Sequence, residues 1–208
     1  MLLPGFRRQL TESDLYRMRL PRRFWEAGFQ SIQALAGNES ARVLVSRYLA
    51  NLDTMVSKGN GIMFLGSDGV GKTCAAAVLA KETRRRGGTV LFVSARDITD
   101  GVIQKAQFDD DQDLWQRACG VDMLVLDELG REHSGEWHSR QIEALMRSRA
   151  AEQRSTIATT NVRPEKLESV FPSAMLSSIK ECMVFVVLSG DDMRLGSSEA
   201  LIASVTKG

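Results

Sequence analysis

At 208 residues and 43% apolar composition, the chain suits one compact domain and excludes disorder throughout. A formal net charge of +1 excludes a uniformly basic or acidic molecule. No apolar run approaches the roughly 18 residues a membrane span needs, so no membrane partner is expected.

Charge is uneven at the start of the chain. Residues 1–23 carry Arg7, Arg8, Arg17, Arg19, Arg22 and Arg23 against Glu12 and Asp14. Pro4, Gly5 and Pro21 break any long helix there, which predicts a short arm suited to an anionic partner or simply to solvent. Leu2 and Leu3 run at once into Pro4, so no signal peptide is expected. Glu39 to Ser57 places Val43, Leu44, Tyr48, Leu52, Met55 and Val56 at helical spacing, and Gly59 closes that helix. Ile62 to Leu65 is a short apolar run that reads as a buried strand.

Gly66-Ser67-Asp68-Gly69-Val70-Gly71-Lys72-Thr73 follows and fits G-x-x-x-x-G-K-[ST]. An Ala-rich helix from Cys74 to Lys81 comes next, so strand, glycine loop and helix stand in the order this motif demands. The glycines let consecutive N–H groups turn inward toward phosphates, and the helix adds its own free amides. Lys72 is expected on the β- and γ-phosphates of ATP, and Thr73 on Mg²⁺. Residues 66–74, Gly66 through Cys74, form the expected nucleotide site.

Arg84-Arg85-Arg86 ends that helix before Gly87-Gly88, where cations complement the helix dipole. Thr89 to Ser94 predicts a second strand and Asp97 to Gln107 a helix. The Asp109-Asp110-Asp111 run reads as a solvated loop, because adjacent side chains seldom converge on a metal. Leu114 to Cys119 predicts a short helix, Met123 to Leu126 a third strand, and Glu136 to Ala151 a further helix. Thr156 to Thr160 predicts a fourth strand, Pro164 opens a short helix, Ala174 to Glu181 another, and Met183 to Leu188 a fifth strand. Strands alternating with helices, several apolar throughout, indicate a parallel sheet covered on both faces. Cys74, Cys119 and Cys182 lie far apart without C-x-x-C spacing and read as reduced thiols of a cytoplasmic protein. His133 and His138 are five apart, not the four of a helical zinc pair.

Asp127-Glu128 ends the third strand, at the sheet edge where open α/β sheets take ligands. Asp127 is expected to hold Mg²⁺, and Glu128 to polarise the attacking water as general base. The acid pair favours hydrolysis over phosphoryl transfer to a small molecule. Asn161, ending the run Ile157-Ala158-Thr159-Thr160-Asn161, is expected to orient that water.

Gly66 to Thr73, Asp127-Glu128-Leu129-Gly130 and Thr159-Thr160-Asn161 together resemble AAA+ ATPases of the DnaC/IstB type, which include helicase loaders and insertion-element ATPases. Leu20-Pro21-Arg22-Arg23-Phe24 resembles the segment that opens their core, and Gly190-Asp191-Asp192-Met193-Arg194 one near its end. The resemblance implies an α/β AAA+ P-loop core over residues 21–195. Its five-stranded parallel sheet would run in the order 5-1-4-3-2 between helices, with little or no C-terminal lid. Residues 1–20 would be a short basic arm and 196–208 a tail. It further implies ATP hydrolysis, self-assembly or a related ATPase subunit as neighbour, single-stranded DNA, and a replicative DNA helicase as partner. Arg194 would read the γ-phosphate from the same subunit, and Arg96, Lys105, Arg117 and Phe108 would lie where relatives contact DNA. A transposition helper and a nucleotide-gated adaptor with little turnover are the alternatives.

Two departures from that pattern stand out. Loaders carry a helicase-gripping domain ahead of the core, where this sequence shows about twenty residues, rich in arginine. The family also places an arginine in the helix before the last strand, reaching a neighbour's ATP site. Met175-Leu176-Ser177-Ser178-Ile179-Lys180 has none there, and Lys180 lacks the planar fork that suits a phosphate.

Overall fold

A computed structural model describes residues 7–33, 39–105, 112–130, 136–190 and 192. Helices α1 (Glu12–Arg17), α2 (Phe29–Gln33), α3 (Glu39–Ala50) and α4 (Leu52–Ser57) lead into strand β1 (Gly61–Leu65). Then come α5 (Lys72–Arg85), β2 (Val90–Ser94), α6 (Ala95–Lys105), α7 (Gln112–Gly120) and β3 (Met123–Asp127). The chain continues through α8 (Glu136–Ala151), β4 (Ser155–Thr160), α9 (Leu167–Val170), α10 (Ser173–Cys182) and β5 (Met183–Val187).

All pairings in the five-stranded sheet are parallel, in the order β2-β3-β4-β1-β5, which read backwards is the expected 5-1-4-3-2. The apolar runs explain the layering. Every residue of β1 and β3 is buried, because each of these strands has a neighbour on both sides and helices over both faces. One core layer joins Ile62, Phe64 and Val125 to α5 and to the helices before β1. The other joins Met63, Leu65 and Leu126 to α8 and α10.

β5 is an edge strand, as the expected order has it, with Val184 and Val187 nearly half exposed. Two local expectations change. The helix foreseen over Glu39 to Ser57 breaks at Asn51, whose side-chain amide donates to the Arg47 carbonyl (2.9 Å). Asn competes with the backbone in this way and so favours helix ends. The other change is at the start of the chain, where residues 7–20 are built into the domain instead of standing off it. Thr11 and Asp14 form a capping box that starts α1, and Leu15, Met18 and Leu20 join the core. The Phe92 N–H donates to the Met18 carbonyl (2.7 Å), so this segment also covers the open edge of β2.

Charge holds the segment down as well. Buried Asp14 accepts from Arg8 Nη2 (2.6 Å) and from Arg84 Nη2 of α5 (2.9 Å). Arg86, which caps α5, pairs with Glu82 (3.2 Å) and with Asp53 of α4 (3.2 Å), so Arg84 and Arg86 tie the end of α5 to neighbouring helices besides meeting the dipole. A further buried cation, Arg149 of α8, is 1% exposed. It donates to the carbonyls of Ala118 (2.5 Å), Val121 (3.0 Å) and Ser155 (2.5 Å), tying the end of α7 to β4. Burial, then the nearby Arg154 cation, push its guanidinium down to about 9, which leaves it charged at neutral pH.

The Asp14 cluster carries a pH signature. The Arg8 guanidinium first, then Thr11 and Arg84, hold its carboxyl well below the usual carboxylate range against the opposing effect of burial. A carboxyl depressed by folding stabilises fully above its unfolded value of about 3.9 and loses that contribution as pH falls below it. Asp14→Asn is therefore expected to cost about 1.5–3 kcal/mol in urea melts at pH 7, the range for hydrogen bonds to a charged group. The gap to wild type should narrow at pH 3. An equal gap at both pH values would assign the loss to packing, not charge.

Candidate nucleotide site

The loop between β1 and α5 owes its path to glycines. Gly66 has φ 149°, and a Cβ there would lie 2.2 Å from the Leu188 carbonyl oxygen. Gly69 has φ 79°, and a Cβ there would lie 1.8 Å from the Asp192 carboxylate. Both are conformations and approaches that side chains do not accept. Buried Val70 pins the loop to the core, while Ser67 and Asp68 face solvent. Gly71, at φ 94°, caps α5 and leaves its first amides without helical partners, facing the sheet's C-terminal edge.

Lys72 is the first residue of α5 and is buried to 7% exposure. Its ammonium donates to the carbonyls of Gly66 (2.8 Å) and Ser67 (2.6 Å), which holds it at the loop. Thr73 Oγ1 donates to Asp127 Oδ1 at 3.0 Å, joining α5 to the end of β3. Asp127 is buried, and burial pushes its carboxyl up, against the hydroxyls of Thr159 and Thr73 that favour the ionised form. A buried carboxylate in that condition gains from a cation beside it, and both donors are hard oxygens. The pair fits Mg²⁺.

Glu128 is exposed and has φ 59°, the left-handed region, which costs a non-glycine residue about 1–3 kcal/mol. Thr159 of β4 holds that turn. Its Oγ1 accepts from the Glu128 N–H (3.0 Å) and donates to Asp127 Oδ1 (2.5 Å). The Leu129 N–H then donates to the Thr159 carbonyl (2.8 Å). One threonine thus sets both acids, one turned inward and one outward. Asn161 Nδ2 donates to Asp68 Oδ1 (2.9 Å), linking the end of β4 to the glycine loop across the cleft mouth.

Asp68, Gly69, Gly71, Lys72, Thr73 and Cys74 meet Glu128, Thr159 and Asn161 around one cleft of about 360 Å³. Burial pushes the half-buried Cys74 thiol up, so it stands in the wall as a neutral group. A ring of inward amides, an ammonium, a hydroxyl–carboxylate pair and a second carboxylate can bind a polyphosphate with its cation and take a proton from water. Three participants had no role assigned from the sequence: Thr159, Arg23 and Phe24 stood within quoted motifs, and all three line the cleft.

Arg194, Phe108, Asp109-Asp110-Asp111 and His133 lie outside the described residues, as does the side chain of Lys105. Two cations expected near DNA have protein partners: Arg96 pairs with Asp100 (3.2 Å), and Arg117 donates to the Arg17 carbonyl (2.9 Å). Among the described residues no helix is long and apolar enough to cross a membrane.

Comparison with known proteins agrees with this geometry. Residues 19–199 match the family described as IstB-like ATP binding protein. The replicative helicase loader DnaC of Escherichia coli strain K12 is 23% identical over 199 residues, covering 90% of this chain and 74% of that protein. The uncharacterized protein YdaV of the same strain is 27% identical over 136 residues. That match covers 64% of this chain, and the chain spans about half the length of YdaV, 54%. A crystal structure of the DnaC helicase loader superposes with a TM-score of 0.71 at 24% identity, covering 81% of this chain and 100% of that one. The fold is thus that of an AAA+ P-loop core.

Proposed function

The chain belongs to the family of IstB-like ATP binding proteins, and from that premise we propose an ATP-hydrolysing helicase loader that acts on single-stranded DNA in the cytoplasm. The observation that carries the reading is the meeting of Lys72, Thr73, Asp127, Glu128 and Asn161 at one cleft on the sheet edge. Residues 21–195 would form the ATPase core. Lys72 and the loop amides would bind the phosphate chain, and Thr73 with Asp127 would hold Mg²⁺. Bound Mg²⁺ would neutralise charge on the β- and γ-phosphate oxygens. Glu128 would take the proton of the attacking water on its carboxylate, and Asn161 would orient that water. Arg194 would belong to the same site. The likeness to a named replicative helicase loader supports a replicative helicase as protein partner. Assembly with copies of itself or with a related ATPase subunit is part of the same proposal.

A titration of fluorescent oligonucleotides with and without Mg-ATP tests this reading. Single strands should bind in the ATP state with a steep loss of affinity as salt rises, as phosphate contacts require. Lys72→Ala removes a charge-assisted contact of about 1.5–3 kcal/mol, so ATP affinity should fall about 10- to 150-fold and the ATP-dependent DNA signal with it. Preference for duplex over single strand would instead favour the alternative reading, a transposition helper.

A further inference from the structure

The nucleotide cleft has a wall that the phosphate-loop motif does not account for. The turn Arg22–Phe24, a single 3-10 turn ahead of α2, brings Arg23 to the same cleft as Lys72, Thr73 and Glu128. Its position is fixed from below. Lys81 of α5, buried to 5% exposure, donates its ammonium to the carbonyls of Trp25 and Ala27, the latter at 2.7 Å. The Trp25 indole N–H closes back on the Leu20 carbonyl (3.0 Å). The two arginines of the turn then part. Arg22 stacks over the Tyr16 and Trp25 rings, at 5.5 Å and 5.2 Å from their centroids. Arg23 is exposed, rests 4.8 Å from the Phe24 ring centroid, and makes no ion pair with a described residue.

We propose that Arg23 is a same-chain cation for the terminal phosphate of bound ATP. The inference rests on the ATP reading given above and deepens it. Two observations converge. Arg23 lines the same cleft as Glu128 and Asn161, the groups assigned to the hydrolytic end of the site. A guanidinium presents a planar fork of donors that matches phosphate oxygens, and among the described residues this one rests on an aromatic face without an ion pair. The segment just after the turn is hydrogen-bonded to α5, the helix the phosphates would cap, so cation and phosphate loop are held against the same element. The site would then draw its extra positive charge from its own chain, where the helix before β5 offers no arginine.

Calorimetric titration with Mg-AMPPCP and Mg-ADP tests the assignment without turnover. Arg23→Ala should weaken AMPPCP binding at least about tenfold, the effect of losing a charge-assisted contact. ADP affinity should shift by less than about threefold, and Arg23→Lys should restore part of the loss. Arg22→Ala should change neither affinity, since its side chain lies on the Tyr16–Trp25 pair. Equal losses for the two nucleotides, or no loss for either, would overturn the inference while leaving the ATP reading in place. A wild-type chain that binds neither nucleotide would overturn the ATP reading and this inference together.

Discussion

Glu128→Gln should lower ATP turnover about 100-fold or more while ATP affinity stays within about threefold of wild type. The difference follows from how the end of β3 divides its two acids. Asp127 turns inward, buried and bonded to the hydroxyls of Thr73 and Thr159. Glu128 turns outward through a left-handed residue whose N–H is fixed by Thr159. Glutamine keeps the size and the hydrogen bonding of Glu128 but accepts no proton, so only a step that needs a base should suffer. Asp127→Asn should instead reduce the Mg²⁺-dependent part of ATP affinity, because it removes the charge beside Thr73. Phosphate release, paired with titrations in the presence and absence of Mg²⁺, separates the two. Equal loss of Mg-ATP binding in both variants would refute the division of roles.

The phosphate loop and the Asp127-Glu128 pair were legible in the sequence because their chemistry is local. Glycines at 66, 69 and 71 and the lysine at 72 fall within one turn of chain, flanked by a strand and a helix that periodicity alone suggests. The strand order came from family resemblance, since nothing in a run such as Met183 to Val187 says which strand it will lie beside. That order already put the last strand at an edge, and Val184 and Val187 of β5 are nearly half exposed there. Thr159 escaped because its role depends on register. Leu126 sits opposite Ala158, and only the next step of that ladder brings Asp127 and Thr159 together. Arg23 escaped for a longer-range reason: its place at the cleft is set by the bonds of Lys81 to the Trp25 and Ala27 carbonyls. The capping box at Thr11 and Asp14 was within reach of sequence reading, and its neglect left the first twenty residues as an arm.

The purified chain should bind ATP and hydrolyse it slowly, at a rate per subunit that rises little with protein concentration. An arginine supplied by a neighbour stabilises charge on the transferring phosphoryl group and is worth roughly 10³–10⁵ in rate in P-loop enzymes. The helix expected to supply it, α10, carries Ser177, Ser178 and Lys180 instead. Ser178 donates its hydroxyl back to the Ala174 carbonyl of its own helix (3.2 Å) and carries no charge. Lys180 is exposed and reaches Glu168 of α9 at 3.3 Å, a surface pair that holds its ammonium only weakly. Its point charge also lacks the fork with which arginine grips two phosphate oxygens. Assembly would therefore complete no strong site, and the basal rate would rest on cations of the same chain. Ser178→Arg should raise turnover, and should do so only as protein concentration brings subunits together. The measurement is phosphate release across a range of protein concentrations, with wild type, Ser178→Arg and Lys180→Ala side by side. A wild-type rate that climbs steeply with concentration and collapses in Lys180→Ala would overturn the expectation and make Lys180 the cation that crosses between subunits.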